Sequence, residues 1–326
     1  MIRIGILGAA KIAPAAIIEP ASRRDDCTIQ AVAASDPGKA RAYARQHGIP
    51  EVADSYDALL QRDDVDLIYN ALPPHRHADL SIAALKAGKP VLCEKPFAMN
   101  AGQAQEMVTA ARAANLPLFE AFHYRFHPAF LRVLEVIRSG ELGPVRTLEG
   151  EFTVAIPYRE GELRHTLEVG GGALMDLGCY PVHQLRTVTG EEPVVVSAEC
   201  LCEHEGVDLT THARLDFPSG ASGAITTSMS TEVPRRIILI VRCANGTLTY
   251  VNPVQPHLGH EIRIQHDGRT VKESLPGGTT YDYQLAHVVD VLAGKAKRLT
   301  GGADAVANMV VIDAIYRAGG LRPRGT

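Results

Sequence analysis

Over residues 1–121, short apolar runs alternate with longer stretches of helical periodicity. Residues 2–7 (Ile-Arg-Ile-Gly-Ile-Leu) read as a buried strand, and an apolar pattern at helical spacing continues from the following turn to about residue 21. Residues 28–34, 66–71 and 116–120 read as further strands, as does the run Val91-Leu92-Cys93 that Glu94, Lys95 and Pro96 close. Helices are expected through 37–47, at 55–60, up to 87 and at 101–114; Pro37 suits a first helical turn and Gly88 a helix end. Strands alternating with helices predict an α/β, doubly wound parallel sheet.

The pattern changes after residue 121. An amphipathic helix is expected at 126–139, a long alternating strand at 145–156, a charged loop at 157–172 and a helix at 173–187. Strand candidates then crowd together at 194–203, 207–217, 221–228, 236–242, 246–251, 262–266 and 270–275. Pro218-Ser219-Gly220 and Asn245-Gly246 are turn signals between them. Hairpin-linked strands make a mainly antiparallel sheet. One face packs on the domain's helices and the other needs cover, so a homodimer or homotetramer is expected. Helices at 281–293 and 303–318 end the chain. The expected organisation is 1–121 as a dinucleotide-binding domain and 122–326 as an α+β substrate-binding and oligomerisation domain.

Composition narrows the function without naming it. The 326 residues suit two domains, and 46% apolar residues suffice for two cores. A net charge of −4, with basic residues dispersed, argues against a nucleic-acid partner. No apolar run spans a bilayer, so no membrane role is expected. The six cysteines show no C-x-x-C spacing, and Met1 leads straight into a strand. Both point to a reducing cytoplasm and away from a disulfide framework.

The turn after the first strand is the first candidate site. Gly8-Ala9-Ala10-Lys11-Ile12-Ala13 keeps the first glycine of a dinucleotide fingerprint, with alanine at the second and third positions. At the end of the second strand, Ser35 and Asp36 stand where the adenosine ribose is read. The serine, with Lys39 and Arg41 nearby, tips the expected cofactor from NAD towards NADP, and Asp36 also suits a helix N-cap. Lys95 sits at the carboxyl end of a strand, where open α/β sheets bind ligands. His75 and His77 lack the further ligands of a metal site, so no metal is expected.

Several of these stretches together resemble the glucose-fructose oxidoreductase / inositol dehydrogenase / rhizopine catabolism family. They are Ala71-Leu72-Pro73 followed by His77, Ala87 to Pro96 around Glu94-Lys95-Pro96, Glu120 to Pro128 with His123 and Arg125, and Gly170 to Tyr180. The resemblance covers nearly the whole chain in order. It implies a Rossmann domain followed by an α+β domain on a large open sheet, with a tail helix at about 303–318 returning to the first domain. It places Leu72, Pro73, His77, Glu94 and Arg125 among the cofactor contacts, and Lys95 and Asp176 beside nicotinamide and substrate carbon. Many relatives carry histidine four residues after that aspartate. Tyr180 here resembles the aldose dehydrogenase branch, including D-xylose and dihydrodiol dehydrogenases.

The expected activity is hydride transfer between NAD(P) and a sugar, polyol or related hydroxyl or carbonyl compound. On a helix, Asp176, Tyr180 and His183 at i, i+4 and i+7 share a face. Tyr180 is the candidate proton acceptor or donor, Lys95 orients the oxygen, and Asp176 positions substrate or pairs with Lys95. His183, whose ordinary pKa lies nearer neutrality, is the second acid/base candidate. Arg125, Arg164, His165 and His123 are further candidates for the pocket. Two alternatives follow from the resemblance. One is a glycoside hydrolase that retains NAD and oxidises its sugar transiently. The other is a non-catalytic nucleotide sensor, which need not keep Lys95, Asp176 and Tyr180.

Overall fold

The first-half strand runs form one parallel sheet. Its strands are β1 (Ile2–Leu7), β2 (Cys27–Ala33), β3 (Glu51–Val52), β4 (Leu67–Asn70), β5 (Val91–Cys93) and β6 (Leu118–Glu120), in the order β3-β2-β1-β4-β5-β6. This is the doubly wound order that reverses direction beside β1, and the crevice at that reversal opens at the carboxyl ends of β1 and β4. The two-residue β3 was too short to show in the sequence. In the computed structural model, which describes residues 1–204 and 206–326, residues 1–122 and 281–306 form one unit. Leu285 and Val288 explain the return. They project from the helix Thr280–Leu292 into the core of Ile4, Ile6, Val32, Leu67 and Leu92, each contributing roughly 1.5–3 kcal/mol of burial.

The second unit comprises residues 123–280 and 307–326. The returning segment is thus 281–306; of the tail helix Ala303–Ala318, only its start groups with the first unit, and its remainder belongs to the second. Eight strands, β7 (Val145–Thr153), β8 (Val194–His204), β9 (Val207–Asp216), β10 (Ser222–Ser228), β11 (Arg236–Cys243), β12 (Gly246–Val251), β13 (Glu261–His266) and β14 (Arg269–Glu273), lie in the order β14-β13-β12-β11-β7-β10-β9-β8. All pairs are antiparallel except β7 with β10.

The helix expected at 173–187 begins as a π-helical turn, Leu174–Gly178, and becomes α-helical over Cys179–Thr189. Pro181 is the physical reason. It has no N–H to give to Leu177, so the turn before it widens. The first domain repeats the device: a π-turn at Pro14–Ile18 precedes Pro20. The helix Cys179–Thr189 lies on β7 at Gly150, where an added Cβ would stand 2.7 Å from the Cβ of Pro181. No helix among the described residues is long and apolar enough to cross a membrane.

Candidate active site

In the first unit, the sequence-predicted residues gather at the carboxyl ends of β1, β4 and β5. Gly8 follows β1 with φ +99°, a conformation that glycine alone adopts without strain. A Cβ there would stand 3.0 Å from Leu72 Cδ2, so Gly8 and the Leu72-Pro73 turn close on one another without one. Ala9 and Ala10 are partly exposed, and Lys11 and Ile12 are exposed just before the helical turn. Tyr43 donates to the carbonyl of Ala10 (3.0 Å), fixing this turn to the next helix. Asp36 is the N-cap of the helix Pro37–His47 and accepts from the N–H of Lys39 at 2.6 Å. Ser35 is exposed beside it. A strand–turn–helix with a bare Gly8, and an exposed serine at the end of β2, fit a dinucleotide whose pyrophosphate takes the turn and whose adenosine ribose takes Ser35.

Lys95 is the only residue of 91–100 that is not buried. Its seat is made by its neighbours. Glu94 accepts a hydrogen bond from the fully buried Tyr69 hydroxyl at 2.7 Å and another from the Lys95 N–H at 3.2 Å. His77 is also fully buried, with Nδ1 2.9 Å from the Pro96 carbonyl and Nε2 2.6 Å from the Leu72 carbonyl. It joins the loop after β4 to the loop after Lys95. Burial pushes its pKa down to about 4, while the two carbonyls pull the other way.

In the second unit, Tyr180 is 4% exposed, and its hydroxyl lies 3.2 Å from His123 Nε2. His123, also 4% exposed, reaches the Thr280 hydroxyl through Nδ1 at 2.7 Å. Tyr124 packs beside Tyr180 with ring centroids 6.0 Å apart, and its hydroxyl lies 2.5 Å from Nδ1 of the buried His183. Asp176 meets Arg164 at 2.6 Å, and the carboxylate beside it raises the arginine's pKa. Arg164 also contacts Glu162 at 3.0 Å. His165 is buried and bonds the Ile156 carbonyl at 2.8 Å, which ties the loop to the segment just after β7. Arg125 packs its guanidinium 5.8 Å from the centre of the Phe130 ring. The structure therefore brings Tyr180, His123 and the Tyr124–His183 pair together, and pairs Asp176 with Arg164.

Some members of this arrangement had no sequence signal. Thr280 and His257 reach it by tertiary folding alone. Asp208, fully buried, accepts from the Leu174 N–H, the Thr211 and Tyr316 hydroxyls and Arg324. Arg324 also donates to the Gly171 carbonyl at 2.7 Å, and so fastens the turn from which the Asp176 segment starts. Asp208 and Arg324 are 116 residues apart, and neither lies in a recognisable motif.

The comparisons with known proteins fall on both units. A family model described as "Oxidoreductase family, NAD-binding Rossmann fold" matches residues 2–122, and one for the "GFO/IDH/MocA C-terminal domain" matches 130–249. A D-xylose 1-dehydrogenase (NADP(+)) of Haloferax volcanii is 34% identical over 96% of each chain. The structure of an aldose-aldose oxidoreductase from Caulobacter crescentus, complexed with glycerol, superposes with a TM-score of 0.89 at 28% identity, covering 98% of this chain and 97% of that one. That of KijD10, a 3-ketoreductase from Actinomadura kijaniata in complex with NADP and TDP-benzene, gives 0.88 at 28% identity over 98% of each chain. The fold order, the glycine turn and matches along nearly the full length agree, and the chain belongs to the GFO/IDH/MocA family of NAD(P)-dependent oxidoreductases, acting on hydroxyl or carbonyl groups.

Proposed function

We propose that this protein interconverts a hydroxyl and a carbonyl on a sugar, polyol or similar small carbohydrate-like molecule, with NADP preferred to NAD. The observation that carries the reading is the buried phenol of Tyr180, held within hydrogen-bond reach of His123. Alcohol oxidation needs a group that takes the hydroxyl proton, and a positioned phenol supplies one. A bound nicotinamide would supply the hydride acceptor or donor. Lys95, at the end of β5, orients the reacting oxygen through its ammonium group. Asp176 and Arg164 form a charged pair that contacts other substrate hydroxyls. His183 is secondary, because one of its ring nitrogens is committed to Tyr124. The aldose dehydrogenase branch is supported by Tyr180 and by the aldose-acting relatives above.

Ser35 supports NADP, because Asp36 is engaged in capping and the serine beside it is an exposed residue. The relative from Haloferax volcanii is described as NADP-dependent, and KijD10 was solved with NADP. The edge strands support self-association. Val194, Val196 and Leu201 on β8 and Val271 on β14 are all about half exposed or more. The deciding assay offers NADP and NAD separately with aldoses, polyols, trans-dihydrodiols and, in reverse, keto sugars. Absorbance of the reduced nicotinamide should change with substrate, faster with NADP. Sugar release from a glycoside without net nicotinamide reduction would overturn the reading.

A further inference from the structure

Tyr180 is 4% exposed, so a proton that it takes from substrate needs a route out. We propose that Tyr180 exchanges this proton with solvent through a relay of His123, Thr280 and His257, an inference that rests on Tyr180 being the acid/base. The three residues come from separate elements of the second unit: the turn His123–Phe126, the first residue of the helix Thr280–Leu292, and the turn Pro256–Leu258. Successive polar atoms lie 3.2 Å (Tyr180 hydroxyl to His123 Nε2), 2.7 Å (His123 Nδ1 to Thr280 Oγ1) and 3.3 Å (Thr280 Oγ1 to His257 Nδ1) apart. The first three members are buried, with Thr280 0% exposed, and His257 at the end of the chain is partly exposed.

One backbone group sets the direction of every bond. The Thr280 N–H also points at His257 Nδ1, at 3.3 Å. An N–H only donates, so His257 Nδ1 carries a lone pair there. The Thr280 hydroxyl must then donate to the same nitrogen, because two lone pairs would otherwise face each other. Having given its only hydrogen to His257, that hydroxyl accepts from His123 Nδ1–H. His123 is left with a lone pair on Nε2, which faces the Tyr180 hydroxyl. A single tautomer of each ring satisfies all these contacts, and it is aligned to carry a proton outward.

The transfer balances. As Tyr180 takes the substrate hydroxyl proton, its own phenolic proton passes to His123 Nε2. The Nδ1 proton of His123 passes to Thr280 Oγ1, the Thr280 hydroxyl proton to His257 Nδ1, and the Nε2 proton of His257 to water. Each group gains one proton and loses one, no electrons travel along the chain, and a bound nicotinamide would take the hydride separately. Carbonyl reduction runs the same steps backwards. His123, Thr280 and His257 are thus positioning residues that act through Tyr180.

Thr280→Val removes the bridging hydroxyl at nearly constant shape. The single-turnover rate of nicotinamide reduction should fall roughly ten- to a hundredfold, within the range of acid–base contributions, with KM unchanged. Thr280→Ser should restore it. In His257→Ala, added imidazole should recover part of the lost rate, which a purely structural role would not permit. The relay is overturned if Thr280→Val and His257→Ala both stay within twofold of the native single-turnover rate while Tyr180→Phe is inactive. An active Tyr180→Phe would instead overturn the underlying assignment of Tyr180. If Thr280→Val proves unstable, His257→Ala alone decides: an undiminished rate, or a diminished one that imidazole does not raise, overturns the relay.

Discussion

Lys95 and Tyr180 are held by different means. Lys95 is placed by main chain: a three-residue strand, a ring of buried neighbours, and carbonyls and N–H groups gripped by Glu94 and His77. Tyr180 is placed by side chains that come from four segments and touch one another through hydroxyls and imidazoles. A seat built from main chain fixes where a charge sits, and its residues respond to substitution mainly as parts of the fold. A seat built from titratable side chains also fixes which atom carries a proton, so its residues respond in rate.

The sharpest break of this comparison is Tyr180→Phe. It keeps the ring and loses the proton, so kcat should fall by roughly 100-fold or more, with nicotinamide affinity measured by fluorescence titration unchanged. In the Lys95 seat, the large effect should be on stability. His77→Ala removes the one ring N–H that the neutral imidazole donates between the Leu72 and Pro96 carbonyls and opens a void, at a cost of about 2–4 kcal/mol in denaturant unfolding.

The same histidine gives a pH signature. Its folded pKa of about 4 lies below the ordinary 6.5, so the unfolded chain binds the proton first as pH falls. Its contribution to stability is complete above pH 6.5 and is lost as pH falls towards 4, about 3 kcal/mol in all. The stability difference between pH 7.5 and 5 should therefore shrink in His77→Gln, whose amide does not titrate. A smaller effect is expected for Glu94→Gln. The amide can still accept from Tyr69 or from the Lys95 N–H, so unfolding should weaken by about 1 kcal/mol, with a modest fall in kcat. In cofactor binding rather than stability, Ser35→Ala should weaken NADP binding about tenfold and leave NAD within twofold, the loss of one hydrogen bond to a charged group.

The glycine turn and the short strand before Lys95 were visible in the sequence because their determinants are local. Gly8 needs its φ, Pro96 stops a strand, and strands spaced by helices leave few topologies. Asp36 as a helix cap was legible for the same reason, since a cap is satisfied three residues away. The helix of Asp176, Tyr180 and His183 was legible in position but not in pitch, because the π-turn answers to Pro181 and to packing against Gly150. Loop residue His165 read as a pocket candidate, yet its ring secures the segment that follows β7, a use that charge and spacing do not reveal.

By itself, then, the sequence determined the parallel sheet, the run of antiparallel strands, the dinucleotide turn and the candidacy of Lys95 and Tyr180, since each depends on periodicity or on neighbours within a few residues. Only the tertiary structure decided the contacts of Tyr180 with His123 and of His123 with Thr280, the pairing of Asp176 with Arg164 and the burial of Asp208 with Arg324. Those contacts join residues up to 157 positions apart. They form only after hydrophobic burial has brought the strands and helices together, and no short-range pattern in the chain encodes them.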